Sequence, residues 1–216
     1  MLSWTGRVAP AENEVNKGVA CVNTKLERWN RVKEVCLRCS ACPLAARRTN
    51  VVFGEGVLEA PVMFVGEGPG EQEDIQGRPF VGPAGQLLDR MLAAIGLDRK
   101  KNAIICNIVK CRPPGNRVPT PEEGEKCLPF LRAQVDIVRP RIIVCLGSTA
   151  VRHIIGPEAR ITRVRGQWEE RKGFWITATY HPAALLRDTS RKAEAWSDMK
   201  SIRAKLVELG LVNHTL

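Results

Sequence analysis

The sequence predicts an α/β protein built on a parallel sheet covered by helices on both faces. Three observations carry this. Four strand candidates, "PVMFV" (Pro61–Val65), "NAIICNIV" (Asn102–Val109), "RIIVCLG" (Arg141–Gly147) and "FWITATY" (Phe174–Tyr180), recur along the chain, and three are near-continuously apolar, as strands buried on both faces should be. Helical patterns separate them, and strand–helix alternation implies parallel pairing. At 216 residues and 44% hydrophobic, the chain suits one domain with a sizeable core.

Taken in order, residues 1–23 mix Gly, Pro, Asn and charges without clear periodicity and are expected to form a disordered or loosely attached leader. Residues 24–216 are expected to form the single domain. From Lys25, "KLERWNRVKEVC" places Leu26, Trp29, Val32 and Val35 on one helical face. "AGQLLDRMLAAIG" spaces Leu87, Leu88, Met91, Leu92 and Ile95 as a buried stripe. In "TPEEGEKCLPFLRAQVDIV", Thr120 reads as an N-cap, Pro121 as the first helical residue and Glu123 as the closing member of a capping box. The last helix, "RKAEAWSDMKSIRAKLVELG", lines up Trp196, Met199, Ile202, Leu206 and Leu209.

Lys and Arg number 33 against 23 Asp and Glu, a formal net charge of +10. That surplus favours a polyanionic partner such as nucleic acid. No apolar run approaches a membrane span and no signal-peptide pattern opens the chain, so a cytoplasmic protein without a membrane partner is expected. Eight cysteines in a reducing compartment point to metal rather than disulfides. "CLRCSACP" is a double C-x-x-C holding Cys36, Cys39 and Cys42, and Cys111 and Cys127 follow later. Two thiolates three residues apart can grip one centre from one side of a turn. Four thiolates suit either zinc or an iron–sulfur cluster, and on spacing alone Cys36 can replace Cys42. Cys106 and Cys145 lie within strand candidates, where a thiol acts as a small buried hydrophobe.

The loop "GEGPGEQEDIQGRPFVG" follows the first strand. Gly66, Gly68 and Gly70 give G-x-G-x-G, with Glu71 where a dinucleotide fingerprint carries no acid. Glu67, Glu71, Glu73 and Asp74 would repel a pyrophosphate, and Pro69 removes an amide donor. The loop therefore suits close backbone approach to a neutral, flat ligand. Phe80, set between Pro79 and Gly82, offers an aromatic platform, although a lone Phe more often packs in a core. Asn107 presents a donor and an acceptor together, able to pair with one edge of a base. "YHPAALLR" places His181 just past a strand end, where open α/β sheets build their sites. Its two leucines, Leu185 and Leu186, beside Arg187, have the character of a wedge into a base stack, with core packing as the alternative.

Taken together, "CSACPLAARRTNVVFGEG", "GEGPGEQEDIQGRPFVGPAGQLLDRML", "NIVKCRPPGNRVPTPEE", "VRGQW" and "HPAALLR" resemble the family 4, iron–sulfur uracil-DNA glycosylases from about Trp29 to the C-terminal helix. The resemblance implies a three-layer α/β/α fold around a four-stranded parallel sheet. It implies a structural [4Fe–4S] cluster on Cys39, Cys42, Cys111 and Cys127, choosing Cys42 over Cys36 because the second family cysteine precedes Pro-Leu. It also implies excision of uracil from DNA by a monomer. The extra Cys36, the long leader and Cys106 beside Asn107 depart from the family pattern.

On that reading the nucleotide is rotated out of the duplex. Leu185 is expected to fill the gap and Arg187 to hold phosphate, with binding that weakens steeply in salt. Phe80 stacks on the base, Asn107 reads N3–H and O4, and the segment around Glu71 rejects the thymine methyl. His181 and backbone N–H groups near Gly68 and Gly70 stabilise the leaving anion. Glu67 faces the cationic sugar or a water, and Asp74 braces the loop. Two other readings stand beside it. A non-catalytic nucleic-acid module explains the charge and cysteines but leaves Phe80, Asn107 and His181 without a joint purpose. A nucleotide-dependent oxidoreductase lacks the third glycine of its fingerprint.

Overall fold

In the computed structural model, which describes residues 24–212, one sheet holds six strands rather than the four expected. The leader expected over residues 1–23, with Cys21, lies outside the described residues. The strands are β1 (Glu55–Gly56), β2 (Val62–Gly66), β3 (Ala103–Asn107), β4 (Ile142–Leu146), β5 (Glu169–Arg171) and β6 (Phe174–Thr179), in spatial order β1-β3-β2-β4-β6-β5. β3, β2, β4 and β6 are mutually parallel and correspond to the four sequence candidates. β1 and β5 add short antiparallel edges. β5 joins β6 through Lys172 and Gly173, both at positive φ, the backbone twist that a two-residue hairpin favours.

The helices are α1 (Lys25–Leu37), α2 (Glu71–Gln76), α3 (Pro83–Ala93), α4 (Pro121–Val138), α5 (Ser148–Ile154), α6 (Ile161–Val164), α7 (Pro182–Arg187) and α8 (Lys192–Glu208). Alternate residues of each central strand feed opposite faces. Met63, Val65, Ile104, Cys106, Ile143 and Cys145 pack with α1, α4 and α5. Val62, Phe64, Ile105, Ile142 and Val144 pack with Leu88, Leu92 and Ile95 of α3 and Met199, Ile202 and Leu206 of α8. The result is three layers, as expected. Thr120 caps α4 in a complete capping box with Glu123, and Pro121 opens the helix. Thr24 and Glu27 do the same for α1.

Two helices are rotated from the stripes expected. On α1, Leu26 and Val35 are exposed, while Trp29 and Cys36 are buried. Trp29 packs edge-on against Phe53 at 4.8 Å, and Lys25 turns inward to donate to the carbonyls of Leu58 and Val138. On α8, Trp196 is exposed and Ala195 and Asp198 face inward. The buried Asp198 carboxylate accepts from Arg165 and from the Thr179 hydroxyl, which fixes the rotation of the helix.

Candidate active site and cysteine pocket

The C-terminal ends of β2, β3, β4 and β6 meet in one place. The chain leaves β2 toward β3 on one side and leaves β4 toward β6 on the other, so the crevice between β2 and β4 is the switch point where open α/β sheets bind ligands. Gly66 ends β2 there. A Cβ on it would lie 2.5 Å from Asn107 Oδ1 and 2.6 Å from Phe80 Cζ, so only glycine admits both. Gly147, just past β4 with φ +85, lies under His181, whose Cβ would be 2.8 Å from a Cβ added at 147. The Phe80 and His181 rings are 5.4 Å apart with planes inclined at 31°. Phe80, Asn107 and His181, named from sequence, therefore line one crevice.

Asn107 is 1% exposed, and both its side-chain nitrogen and oxygen are buried without a hydrogen-bond partner. Buried polar atoms are nearly always paired, so this amide at the sheet switch point is a candidate for ligand contact. His181 caps α7, and Ala183 N–H donates to its Nδ1 at 3.2 Å. The neutral ring therefore carries its proton on Nε2. Burial, then the Arg187 charge, lower its pKa to about 4, against an opposing pull from Glu73.

Phe80 is held in left-handed backbone, φ +53, a conformation that costs a bulky residue on the order of 1–3 kcal/mol. A two-sided clamp holds it. The buried Arg99 donates to the carbonyls of Pro79 and Phe80 at 2.8 and 2.9 Å and pairs with Asp89. Glu73 accepts from the N–H groups of Val81 and Gly82, both at 2.8 Å.

The acids of the loop each have a local partner. Glu67 accepts from the Thr149 hydroxyl at the start of α5, which ties the loop after β2 to the segment after β4. Asp74 is buried and accepts from the N–H groups of Thr49 and Asn50, bracing the loop as expected. Glu71 is exposed and lies 3.4 Å from Arg112; the acid turned toward Gly70 and Gly82 is Glu73. Arg99, Glu73 and Thr149 are functional candidates that residue-by-residue reading missed. Their roles rest on hydrogen bonds that span up to 82 residues of sequence, which leave no periodic signal.

The expected wedge needs correction. Leu185 is 2% exposed and packs with Tyr180 and Ala195, whereas Leu186 is 43% exposed. α7 turns its inner face onto the pair formed by α3 and α8, and that packing takes Leu185. Arg187 is exposed beside Leu186.

Cys36, Cys39, Cys42, Cys111 and Cys127 line one small cavity with Arg48 and Lys110. Arg48 donates to Cys111 Sγ, and the Lys110 main-chain N–H donates to Cys127 Sγ, both at 3.3 Å. Burial pushes the Cys127 thiol up to about 11 and the Cys36 thiol to about 12. Among the described residues no three His, Cys, Asp or Glu side chains converge tightly enough for a single ion. The cavity gathers the thiol donor set that either zinc or an iron–sulfur centre would take, with N–H donors at Cys111 and Cys127. Cys106 and Cys145 are fully buried in the core, as expected of strand cysteines.

The arrangement defines an open α/β sheet whose switch point carries an aromatic face, an unpaired amide and a neutral imidazole, with a thiol-lined cavity nearby. Residues 53–200 match the uracil DNA glycosylase superfamily. The chain is 49% identical over 173 residues to a type-4 uracil-DNA glycosylase of Thermotoga maritima, covering 78% of this chain and 88% of that one. It is 45% identical over 179 residues to a type-4 uracil-DNA glycosylase of Archaeoglobus fulgidus, covering 79% and 89%. A type-5 uracil-DNA glycosylase of Pyrobaculum aerophilum is 35% identical over 152 residues, covering 63% and 67%. The chain belongs to the uracil-DNA glycosylase superfamily.

Proposed function

We propose that the protein excises uracil from DNA by hydrolysing the N-glycosidic bond. One observation carries this: the buried side-chain amide of Asn107, with neither end paired, beside the rings of Phe80 and His181. Uracil presents N3–H and O4 on one edge, and the amide supplies an acceptor and a donor to match. Cytosine presents an unprotonated N3 and an amino group, so both contacts fail. A good bidentate pair discriminates by about 1–3 kcal/mol, and the desolvated groups left unpaired add to that.

Phe80 stacks on the base, and the backbone at Gly68 and Gly70 closes on its edge. The wall that rejects a 5-methyl group is the segment from Gly70 through Glu71 to Glu73. As the bond breaks, negative charge develops on the base and positive charge on the sugar. His181, neutral, donates Nε2–H to O2 of the departing base. A neutral donor suits this step because it stabilises the anion without first losing a proton to bulk water. Glu67, oriented by Thr149, directs its free carboxylate oxygen at the cationic sugar or at the attacking water. The hydroxyl of that water ends on C1′ and the proton on the released uracil. Extrusion of the nucleotide is supported by Leu186, exposed on α7, with Arg187 on the flanking phosphate.

Cys39, Cys42, Cys111 and Cys127 would hold a [4Fe–4S] cluster, which cross-links the turn after α1, the segment after β3 and α4. Its contribution is structural. Incubation with a uracil-containing oligonucleotide followed by alkali should break the strand at the uracil. An intact strand after treatment with folded, iron-loaded protein would sink the proposal.

A further inference from the structure

Three residues past Asn107, the chain passes from the base crevice into the wall of the cysteine pocket, and Lys110 stands at the junction. Its side chain is 1% exposed. Nζ donates to the main-chain carbonyl of Asn107 at 2.8 Å and to Gln134 Oε1 at 2.6 Å, and lies 5.9 Å from the centre of the Phe53 ring. Both acceptors are neutral, and among the described residues no carboxylate pairs with it. An ammonium taken out of water without a counter-charge is costly, and buried charges are normally paired or set against metal groups.

Lys110 also lines the cavity shared by Cys36, Cys39, Cys42, Cys111 and Cys127. Its main-chain N–H donates to Cys127 Sγ at 3.3 Å. Four thiolates around an iron–sulfur core carry net negative charge, the counter-charge otherwise missing. The same ammonium grips the carbonyl of the residue whose side chain reads the base. Gln134 locks the arrangement from behind, accepting from Lys110 and donating to the Phe53 carbonyl at 2.8 Å.

We infer that Lys110 is the counter-cation of the centre held by the cysteine pocket and, at the same time, the strut that fixes Asn107, so that loading of one site and uracil recognition at the other are coupled. This rests on the functional reading above. Lys110 is a positioning residue and touches no reacting atom.

The test compares iron-loaded wild type with Lys110→Met, which keeps the length of the side chain and removes its charge and donors. Two quantities are read: the rate at which a chelator bleaches the visible iron–sulfur absorption, and kcat/KM on uracil DNA. Lys110→Met should bleach about tenfold faster and lose about tenfold in kcat/KM, while its affinity for undamaged DNA stays within about twofold. Lys110→Arg, which keeps charge and donors, should recover most of the bleaching resistance. A Lys110→Met protein that changes in one quantity and not the other, or in neither, overturns the coupling. Should that variant yield no soluble protein, Gln134→Leu carries the test, because it withdraws one acceptor and leaves the ammonium. Both quantities should then worsen by about threefold, and two unchanged values overturn the inference. Wild-type protein that leaves uracil DNA intact sinks the functional reading instead, so the two failures are distinguishable.

Discussion

Asn107 and Gln134 are two buried primary amides that share one neighbour, and they are used in opposite ways. Gln134, fully buried in α4, spends both ends of its amide on the protein: Oε1 accepts from Lys110 and Nε2 donates to the Phe53 carbonyl. Asn107, at the end of β3, gives Lys110 only its main-chain carbonyl and leaves its amide unpaired. A satisfied amide specifies a core, whereas an unsatisfied one is a stability cost that only a ligand repays. The same contrast separates the regions around them. Toward Gln134 lies a closed wall of thiols, N–H donors and apolar side chains. Toward Asn107 lie the rings of Phe80 and His181 and an amide that bonds to neither.

The largest effect expected lies on the closed side. On the proposed cluster assignment, Cys127→Ala should abolish the brown colour and the bound iron expected of the wild type. Structural metal sites contribute many kcal/mol, so a stability loss of at least about 5 kcal/mol is expected, roughly 10–20 °C in Tm. Calorimetry and iron analysis of the variant check this. A colourless, zinc-containing wild type with the same Tm dependence would replace iron in the assignment.

The amides themselves are next. Asn107→Ala should lower kcat/KM on uracil DNA by about 100-fold, the upper range of a bidentate contact, without lowering Tm. Gln134→Ala should do the reverse in stability, losing about 2–3 kcal/mol because it strands two buried partners. Parallel kinetics and thermal melts of the two variants break the comparison if Asn107→Ala unfolds the protein or keeps its activity.

Much of this was legible in sequence, for identifiable reasons. Strands buried on both faces must be apolar, so β2, β3 and β4 announced themselves. The edges β1 and β5 are too short and too polar, "EG" and "EER", for any apolar pattern to mark them. Asn107 and His181 stood out in the sequence as a primary amide inside an apolar strand and an imidazole just past a strand end, and Phe80 because proline and glycine flank it. Arg99 was not legible, since its use is to hold carbonyls 19 and 20 residues away. Nor was the choice between Leu185 and Leu186, because tertiary packing sets the rotation of a helix as short as α7.

pH sharpens the contrast further. The folded pKa of His181, about 4, lies below the ordinary value of 6.5. Its neutral form therefore contributes stability that is complete above pH 6.5 and is lost as pH falls toward 4. With solvent screening allowed for, about 2 kcal/mol is at stake. Stability measured against pH should show this loss in wild type and not in His181→Gln. Wild-type kcat/KM should stay flat from pH 8 down to about 5, since the imidazole is already neutral; a fall beginning near 6.5 would assign the step to a different group. Arg99→Met should cost a similar or smaller amount, about 1–2 kcal/mol, by stranding the Pro79 and Phe80 carbonyls. Its kcat/KM should fall about tenfold as Phe80 leaves its left-handed conformation, and a variant with lowered Tm but unchanged kcat/KM would confine Arg99 to stability.

The smallest effect is expected at Leu186, the exposed member of two adjacent leucines that repeat the contrast in miniature. Leu185 belongs to the closed kind: it packs with Tyr180 and Ala195, and Leu185→Ala should cost about 2–4 kcal/mol of stability as a cavity opens. Leu186 belongs to the open kind, and Leu186→Ala should leave Tm within about 1 °C, as surface changes do. Its effect should depend on the substrate. In duplex DNA a wedge offsets the lost stacking of the extruded uracil, so kcat/KM should fall about threefold to tenfold. A single strand has little stacking to replace, and there the rate should stay within about twofold. Equal losses on both substrates would mean that Leu186 contacts DNA without entering the stack. No loss on either would return the wedge to another segment near the crevice.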